Sequence, residues 1–279
     1  MGQVKKAILC PGCGKLISSD APECIHCGLK NPGRIGALAG VQRLFQGKID
    51  FTTIVIYFCA GIYALSLLID IKGIFQVRGF LSLLGPTQQS ILIMGATGSY
   101  PIHFGRYWTL ITAIFLHGGI LHIVFNMLWM RQIGPMVEEL FGSPRLIVIF
   151  LVSGITGFAL TTLRGTPFTV GASGAIFGLL AALIYYGRAR GGAFRQIIYP
   201  QIMTWAIVLF IYGFLVPQVD NFAHLGGFIG GYASANLLGY RERKPENLTD
   251  KVLATSLIII TLFAFIINFA VLVLSIKWL

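Results

Sequence analysis

Gly171-Ala172-Ser173-Gly174-Ala175-Ile176-Phe177-Gly178 is a glycine-framed serine that leads into the apolar run Leu179-Leu180-Ala181-Ala182-Leu183-Ile184. On a helix, Gly171, Gly174 and Gly178 share roughly one face, and on that face nothing larger than hydrogen projects. A second backbone is therefore expected to pack closely against it. Small residues three and four apart are common where membrane helices meet, so two readings stand. Ser173 is a packing residue if the partner brings only alkyl groups, and a nucleophile if the partner brings a histidine.

The chain around this octet is apolar. Its 279 residues are 56% hydrophobic and 11% charged, with a mean hydropathy of +0.79, well on the apolar side of a soluble domain. This is the composition of an all-α polytopic membrane protein. The net charge of +11 does not point to nucleic acid, because the basic residues are scattered between apolar runs and form no basic face interleaved with aromatics. A hydrocarbon core requires roughly 20 apolar residues per helix. Seven spans are expected: Phe51–Ile69, Gly119–Val137, Arg145–Leu163, Gly171–Tyr186, Ile202–Val216, Phe222–Leu238 and Val252–Ile276. All the lysines and arginines except Lys72, Arg78, Arg106, Arg164 and Lys277 then fall on the side of the amino terminus. The positive-inside rule puts that side in the cytosol and the carboxyl terminus outside. The fourth and sixth spans both start at the outer face, so Ser173 lies there.

Ahead of the spans stand Cys10-Pro11-Gly12-Cys13-Gly14 and Cys24-Ile25-His26-Cys27-Gly28. Each knuckle turns tightly enough for two thiolates to reach one ion, and the following glycine relieves the turn. Two in tandem predict a structural zinc ribbon with Cys10, Cys13, Cys24 and Cys27 as ligands. A redox pair would call for a surrounding βαβ pattern, which is missing. Four thiolates close the coordination sphere, so the zinc is assigned binding or stabilisation and no catalysis; His26 is read as an exposed knuckle residue. Residues 1–31 are the expected ribbon on the cytosolic side, and residues 32–50 a linker with an amphipathic piece at the membrane surface. The outer segment from Ile71 to Leu116 is too apolar for a free loop and too broken for a span. Phe80-Leu81-Ser82-Leu83-Leu84 and Ile91-Leu92-Ile93-Met94 are expected to lie in the outer interface, with Tyr100, Tyr107 and Trp108 at headgroup depth.

Polar residues inside spans need partners or a water-filled cavity. His122 and Asn126 share one face of the second span, and as a pair they fit either a helix–helix hydrogen bond or a site. His224 sits near the outer start of the sixth span, at about the depth of Ser173. Gly227 and Gly231 on that span repeat the spacing of Gly174 and Gly178 on the fourth, so the two helices are expected to approach closely. That approach would let the imidazole take the hydroxyl proton. His122, Asn126 and the backbone N–H of Ser173 would supply donors to an oxyanion.

Taken together, His122-x-x-x-Asn126, Gly171-Ala172-Ser173-Gly174 and Ala223-His224-x-x-Gly227-x-x-x-Gly231 resemble the rhomboid family of intramembrane serine proteases, in motif, order and topology, over roughly Tyr57 to Gly239. The resemblance implies a rhomboid-like six-helix bundle over residues 51–239, followed by a cytosolic loop and an additional seventh transmembrane helix in residues 240–279. It implies Ser173 as nucleophile, His224 as general base and His122 with Asn126 at the oxyanion. Its substrates would be transmembrane proteins, entering laterally from the lipid bilayer and unwinding locally. His117, in Phe115-Leu116-His117-Gly118-Gly119, would be structural. Phe177 stands where an aromatic ring often packs on the histidine, with ordinary core packing as the other reading. Many members carry Trp-Arg in the outer loop where this chain has Trp108-Thr109, and Arg106 just upstream is the candidate substitute. The alternative function is a catalytically silent member that binds transmembrane clients, with the zinc ribbon as adaptor to a cytosolic partner. A small transporter would need acidic residues along a path through the spans, but Asp50, Asp70 and Asp220 sit at span ends. The expected location is a bacterial plasma membrane.

Overall fold

The computed structural model describes residues 7–34, 50–75, 83–216 and 218–276. The expected interfacial residues Phe80-Leu81-Ser82 and the amphipathic piece within residues 35–49 lie outside them. At the amino-terminal end two short strands, β1 (Ala7–Leu9) and β2 (Leu16–Ser18), pair antiparallel with Ile8 opposite Ile17. They carry the first knuckle between them. Ten α-helices follow among the described residues: α1 (Phe51–Ile69), α2 (Gln88–Met94), α3 (Ser99–His103), α4 (Thr109–Thr112), α5 (Ile120–Phe141), α6 (Ser143–Arg164), α7 (Ser173–Arg190), α8 (Gly192–Leu215), α9 (Asn221–Leu238) and α10 (Leu248–Ile276). The fold is thus a mostly helical, multi-span membrane bundle with a small cysteine-rich hairpin.

Helix α7 is the centre of this bundle, with every residue from Gly174 to Gly187 buried. Helix α9 lies in the groove between α6 and α7, and its paired glycines explain how. A Cβ at Gly227 would strike the Gly174 carbonyl and one at Gly231 the Gly178 backbone, so this face fits α7. One residue back, a Cβ at Gly226 would lie 2.6 Å from the Thr156 carbonyl oxygen, and one at Gly230 would strike the Thr156 hydroxyl, so the neighbouring face fits α6. The Thr156 hydroxyl donates to the Gly226 carbonyl at 3.0 Å. Two glycine faces on one helix let three backbones approach to contact distance.

Helices cover each of the seven expected spans, with altered ends; the fifth begins at Gly192 rather than Ile202. Among the described residues, four helices are long and apolar enough, by length and composition alone, to cross a membrane: α1, α6, α8 and α10. A fifth is added when α5 is joined to the Thr109–Phe115 turn, from which it bends by 90°. Helices α7 and α9 fall short on hydropathy because α7 ends in Arg188 and Arg190 and the buried faces of α9 carry His224, Ser234 and four glycines instead of alkyl groups. The protein is an integral membrane protein.

Arg145, at the start of the third expected span, is fully buried in the first turn of α6 and meets Asp250 of α10 at 2.7 Å. It also donates to the carbonyls of Gly239, Lys244 and Pro245. A buried guanidinium needs this many acceptors, and the result ties α6, the loop after α9 and the last helix together.

Candidate active site and metal centre

Ser173 opens α7, where its backbone N–H has no acceptor from a preceding helical turn. His224 lies in the first turn of α9, whose end is capped by Asp220 Oδ1 accepting from the Phe222 and Ala223 amides. The glycine contacts between α7 and α9 bring these two turns together. His224 Nε2 is 2.9 Å from Ser173 Oγ.

Two neighbours fix the ring. Phe177, one turn along α7, stacks on His224 with ring centroids 4.2 Å apart and planes 16° from parallel. On its other edge His224 Nδ1 is 3.2 Å from Asn221 Oδ1. With Nδ1–H donating to that oxygen, Nε2 is left unprotonated and faces the serine hydroxyl, the tautomer a base requires. Asn221 fits only because Gly213 of α8 has no side chain, since a Cβ there would collide with its amide. Asn221 was missed in the sequence. The available signal was its place three residues before a histidine at a helix start, one turn away on the same face.

His122 and Asn126 face the same cavity as Ser173 and His224, a space of about 920 Å³ also lined by Phe168, Val170, Phe177 and Tyr212. The Gly118 amide donates to His122 Nδ1 at 3.3 Å, so the ring proton sits on Nε2. That nitrogen points at the Gly171 backbone, where an added Cβ would lie 2.7 Å from it. Asn126 Nδ2 donates to the His122 carbonyl at 2.8 Å, and its Oδ1 is buried with no hydrogen-bond partner. One of its two N–H groups is thus engaged, which leaves the second for another acceptor. His117 is buried against His122, ring centroids 5.1 Å apart.

At the far end of the chain the four Sγ atoms of Cys10, Cys13, Cys24 and Cys27 lie within 4.8 Å of one another. Cys10–Cys27 and Cys13–Cys24 are each 3.7 Å apart. A tetrahedral zinc with Zn–S of about 2.3 Å requires sulfur separations of about 3.8 Å, so the donor set fits that ion. Gly14 and Gly28 follow the knuckles at φ +75° and +73°, the left-handed geometry that favours glycine. His26 is exposed and outside the cluster. Burial works against ionisation of the Cys24 thiol but is outweighed by the His26 and Cys27 backbone amides and by Cys10, which hold it at about 7. Burial raises the Cys13 thiol above its ordinary value.

The geometry defines an integral membrane protein with a serine and a histidine in hydrogen-bonding contact on two closely packed helices. The model of the rhomboid domain matches residues 105–241. Over 152 residues the chain is 39% identical to rhomboid protease GluP of Bacillus subtilis (strain 168), covering 54% of this chain and 30% of that protein. It is 36% identical over 173 residues to RHOMBOID-like protein 5 of Arabidopsis thaliana, covering 57% and 55%, and 29% identical over 168 residues to Rhomboid-like protease 3 of Toxoplasma gondii, covering 58% and 62%. The chain therefore spans less than two thirds of the length of each of these relatives. Residues 105–241 of the chain form a rhomboid domain.

Proposed function

We propose that the chain is an intramembrane serine endopeptidase that cleaves transmembrane-helix substrates near the outer membrane face. The observation that carries this reading is the 2.9 Å contact between Ser173 Oγ and His224 Nε2, with Asn221 behind the imidazole. A packing serine needs no unprotonated nitrogen aimed at it. His224 takes the Ser173 proton as the oxygen attacks the scissile carbonyl carbon, and the carbonyl π electrons move onto its oxygen. That oxyanion is met by the Ser173 backbone N–H and by His122 Nε2–H, with the second N–H of the Asn126 amide as a further donor. His224 then protonates the departing amide nitrogen as the C–N bond breaks. Water, deprotonated by His224, attacks the resulting ester, and release of the new carboxyl group restores Ser173. A helical substrate hides its carbonyl within its own hydrogen bonds, so it must unwind locally first. Helix-breaking residues lower that cost.

The four cysteines hold a structural zinc, which when bound keeps the two knuckles closed on one centre. We place the amino-terminal side in the cytosol of a bacterial plasma membrane, with the ribbon free to engage a cytosolic partner. The deciding experiment reconstitutes the chain in proteoliposomes with a single-span model substrate. Wild type cleaves it and is labelled by a fluorophosphonate, and Ser173→Ala does neither. Cleavage that survives Ser173→Ala removes this chemistry; a wild-type chain that binds the substrate but neither cleaves nor labels is the silent client-binding member instead.

A further inference from the structure

An amide buried among alkyl side chains is costly unless it is paired. Asn268 lies in α10 between Ile267 and Phe269 and is 5% exposed. Its Oδ1 accepts from Arg106 Nη2 at 2.9 Å and from Trp108 Nε1 at 3.2 Å, and its Nδ2 donates to the Ile93 carbonyl at 2.9 Å. One side chain thus gathers the end of α2 and the turn before α4. It also fills the notch at Gly95 (φ +103°), where an added Cβ would lie 3.0 Å from Asn268 Oδ1.

The segment held in this way is bonded directly to the chain that enters Ser173. The Thr112 hydroxyl donates to the Gly95 carbonyl at 2.7 Å. Two residues on, Thr97 and Thr169 exchange both backbone hydrogen bonds, at 3.2 and 2.8 Å, and the Ser99 amide donates to the Thr166 carbonyl at 2.8 Å. Thr166, Phe168, Thr169 and Val170 line the cavity. The Gly171 amide donates to the Ala113 carbonyl at 2.9 Å, next to Thr112. Helix α10 is itself pinned at its other end, by the buried Arg145–Asp250 pair and by Lys251 Nζ donating to the Gly12 carbonyl at 2.8 Å.

We infer that Asn268 is a positioning residue for the Ser173 site: through Arg106, Trp108 and the Ile93 carbonyl it clamps the outer segment against which residues 166–171 are set. Asn268 itself lies outside the matched domain, on the seventh span. Its effect on rate rests on the protease reading, whereas its effect on the outer segment does not. This also answers the departure at Trp108-Thr109, because Arg106 is half of the clamp and α10 supplies the other half.

The test compares Asn268→Leu, Asn268→Asp, which keeps the acceptor for Arg106 and Trp108, and Thr261→Val, a control on α10 whose hydroxyl bonds only to its own helix at Leu257. Amide hydrogen exchange is read at residues 95–99 and 166–170, alongside kcat and KM for the single-span substrate and the fluorophosphonate labelling rate. Asn268→Leu is expected to speed exchange in both segments and to lower kcat and labelling by about ten- to a hundredfold, the scale of small misplacements at a reacting centre, with KM little changed. Asn268→Asp recovers most of the rate, and Thr261→Val behaves as wild type. Wild-type exchange and rates in folded Asn268→Leu overturn the inference. If that variant does not fold, Arg106→Gln takes its place, and wild-type exchange there overturns it equally. A wild-type chain that neither cleaves nor labels removes the protease reading, and the exchange measurement then decides the clamp alone.

Discussion

At the residue scale, the Ser173–His224 pair depends on a group with no reactive role of its own. Asn221 Oδ1 sets which nitrogen of His224 carries the proton, and Phe177 sets the plane of the ring. Without the acceptor the imidazole divides between tautomers, one of which presents N–H to the serine and takes no proton. Asn221→Ala is therefore expected to lower kcat by roughly ten- to a hundredfold, part of the roughly 10²–10⁴-fold that a general base supplies, with KM unchanged. Asn221→Asp, which keeps an acceptor, retains most activity. Steady-state cleavage and fluorophosphonate labelling check both, and an Asn221→Ala chain with wild-type kcat assigns the orientation of His224 to Phe177 alone. Ser173, His224 and His122 were legible because polar residues inside apolar runs have few structural uses. Asn221 was not, because a polar residue at a helix start is ordinary, and only the fold shows that Gly213 makes room for it. Asn268 was hidden for a different reason: its partners are 160 to 175 positions away in the chain, and no local period connects them.

At the scale of elements, the bundle rests on backbone contact between α7 and α9. A methyl at Gly227 would be driven into the Gly174 carbonyl, and neither helix has a flexible side chain there to give way. Gly227→Ala is expected to exceed the roughly 1–3 kcal/mol usual for overpacking and to show as a large fall in thermal midpoint or loss of folded protein in detergent. The control is Gly61→Ala on α1, where an added Cβ meets nothing within 4 Å; the roughly 0.5–1 kcal/mol gained on replacing a helical glycine by alanine should leave its midpoint unchanged or higher. A Gly227→Ala midpoint equal to that of the control would show that the close approach is not required. The spans were readable because a hydrocarbon core imposes length and hydropathy on each lipid-facing helix. Helices α7 and α9 were readable from their glycines despite weak hydropathy. The lateral order of helices was less accessible: Gly226 and Gly230 give α9 a second small face toward α6, and Arg145 sits inside the protein because an aspartate more than a hundred residues later makes its burial tolerable.

At the scale of the whole molecule, α10 joins two distant ends. Its first turn meets the knuckle carbonyl of Gly12 through Lys251, and its far turn meets the outer segment through Asn268. The four-cysteine cluster is therefore seated on the same helix that braces the segment leading to Ser173, and its metal affinity can be reasoned from its protons. Thiols bind zinc only as thiolates, so every proton still on the cluster must leave when the ion enters. Cys13 is raised above its ordinary value by burial and keeps its proton near neutrality, whereas Cys24, at about 7, gains its proton as the pH falls through that value. Above pH 7 fewer protons are displaced, and below it one more is displaced. Apparent zinc affinity should consequently rise with pH throughout and fall more steeply below pH 7 than above it, by more than about tenfold per unit in the acidic range. A competition titration with a chelating dye at pH 6, 7 and 8 measures the two slopes, with Cys24→Ser as the variant that loses a ligand. Wild-type affinity in Cys24→Ser would mean that the ion is not held by these four sulfurs, and equal slopes on either side of pH 7 would mean that the Cys24 proton is not the one exchanged there.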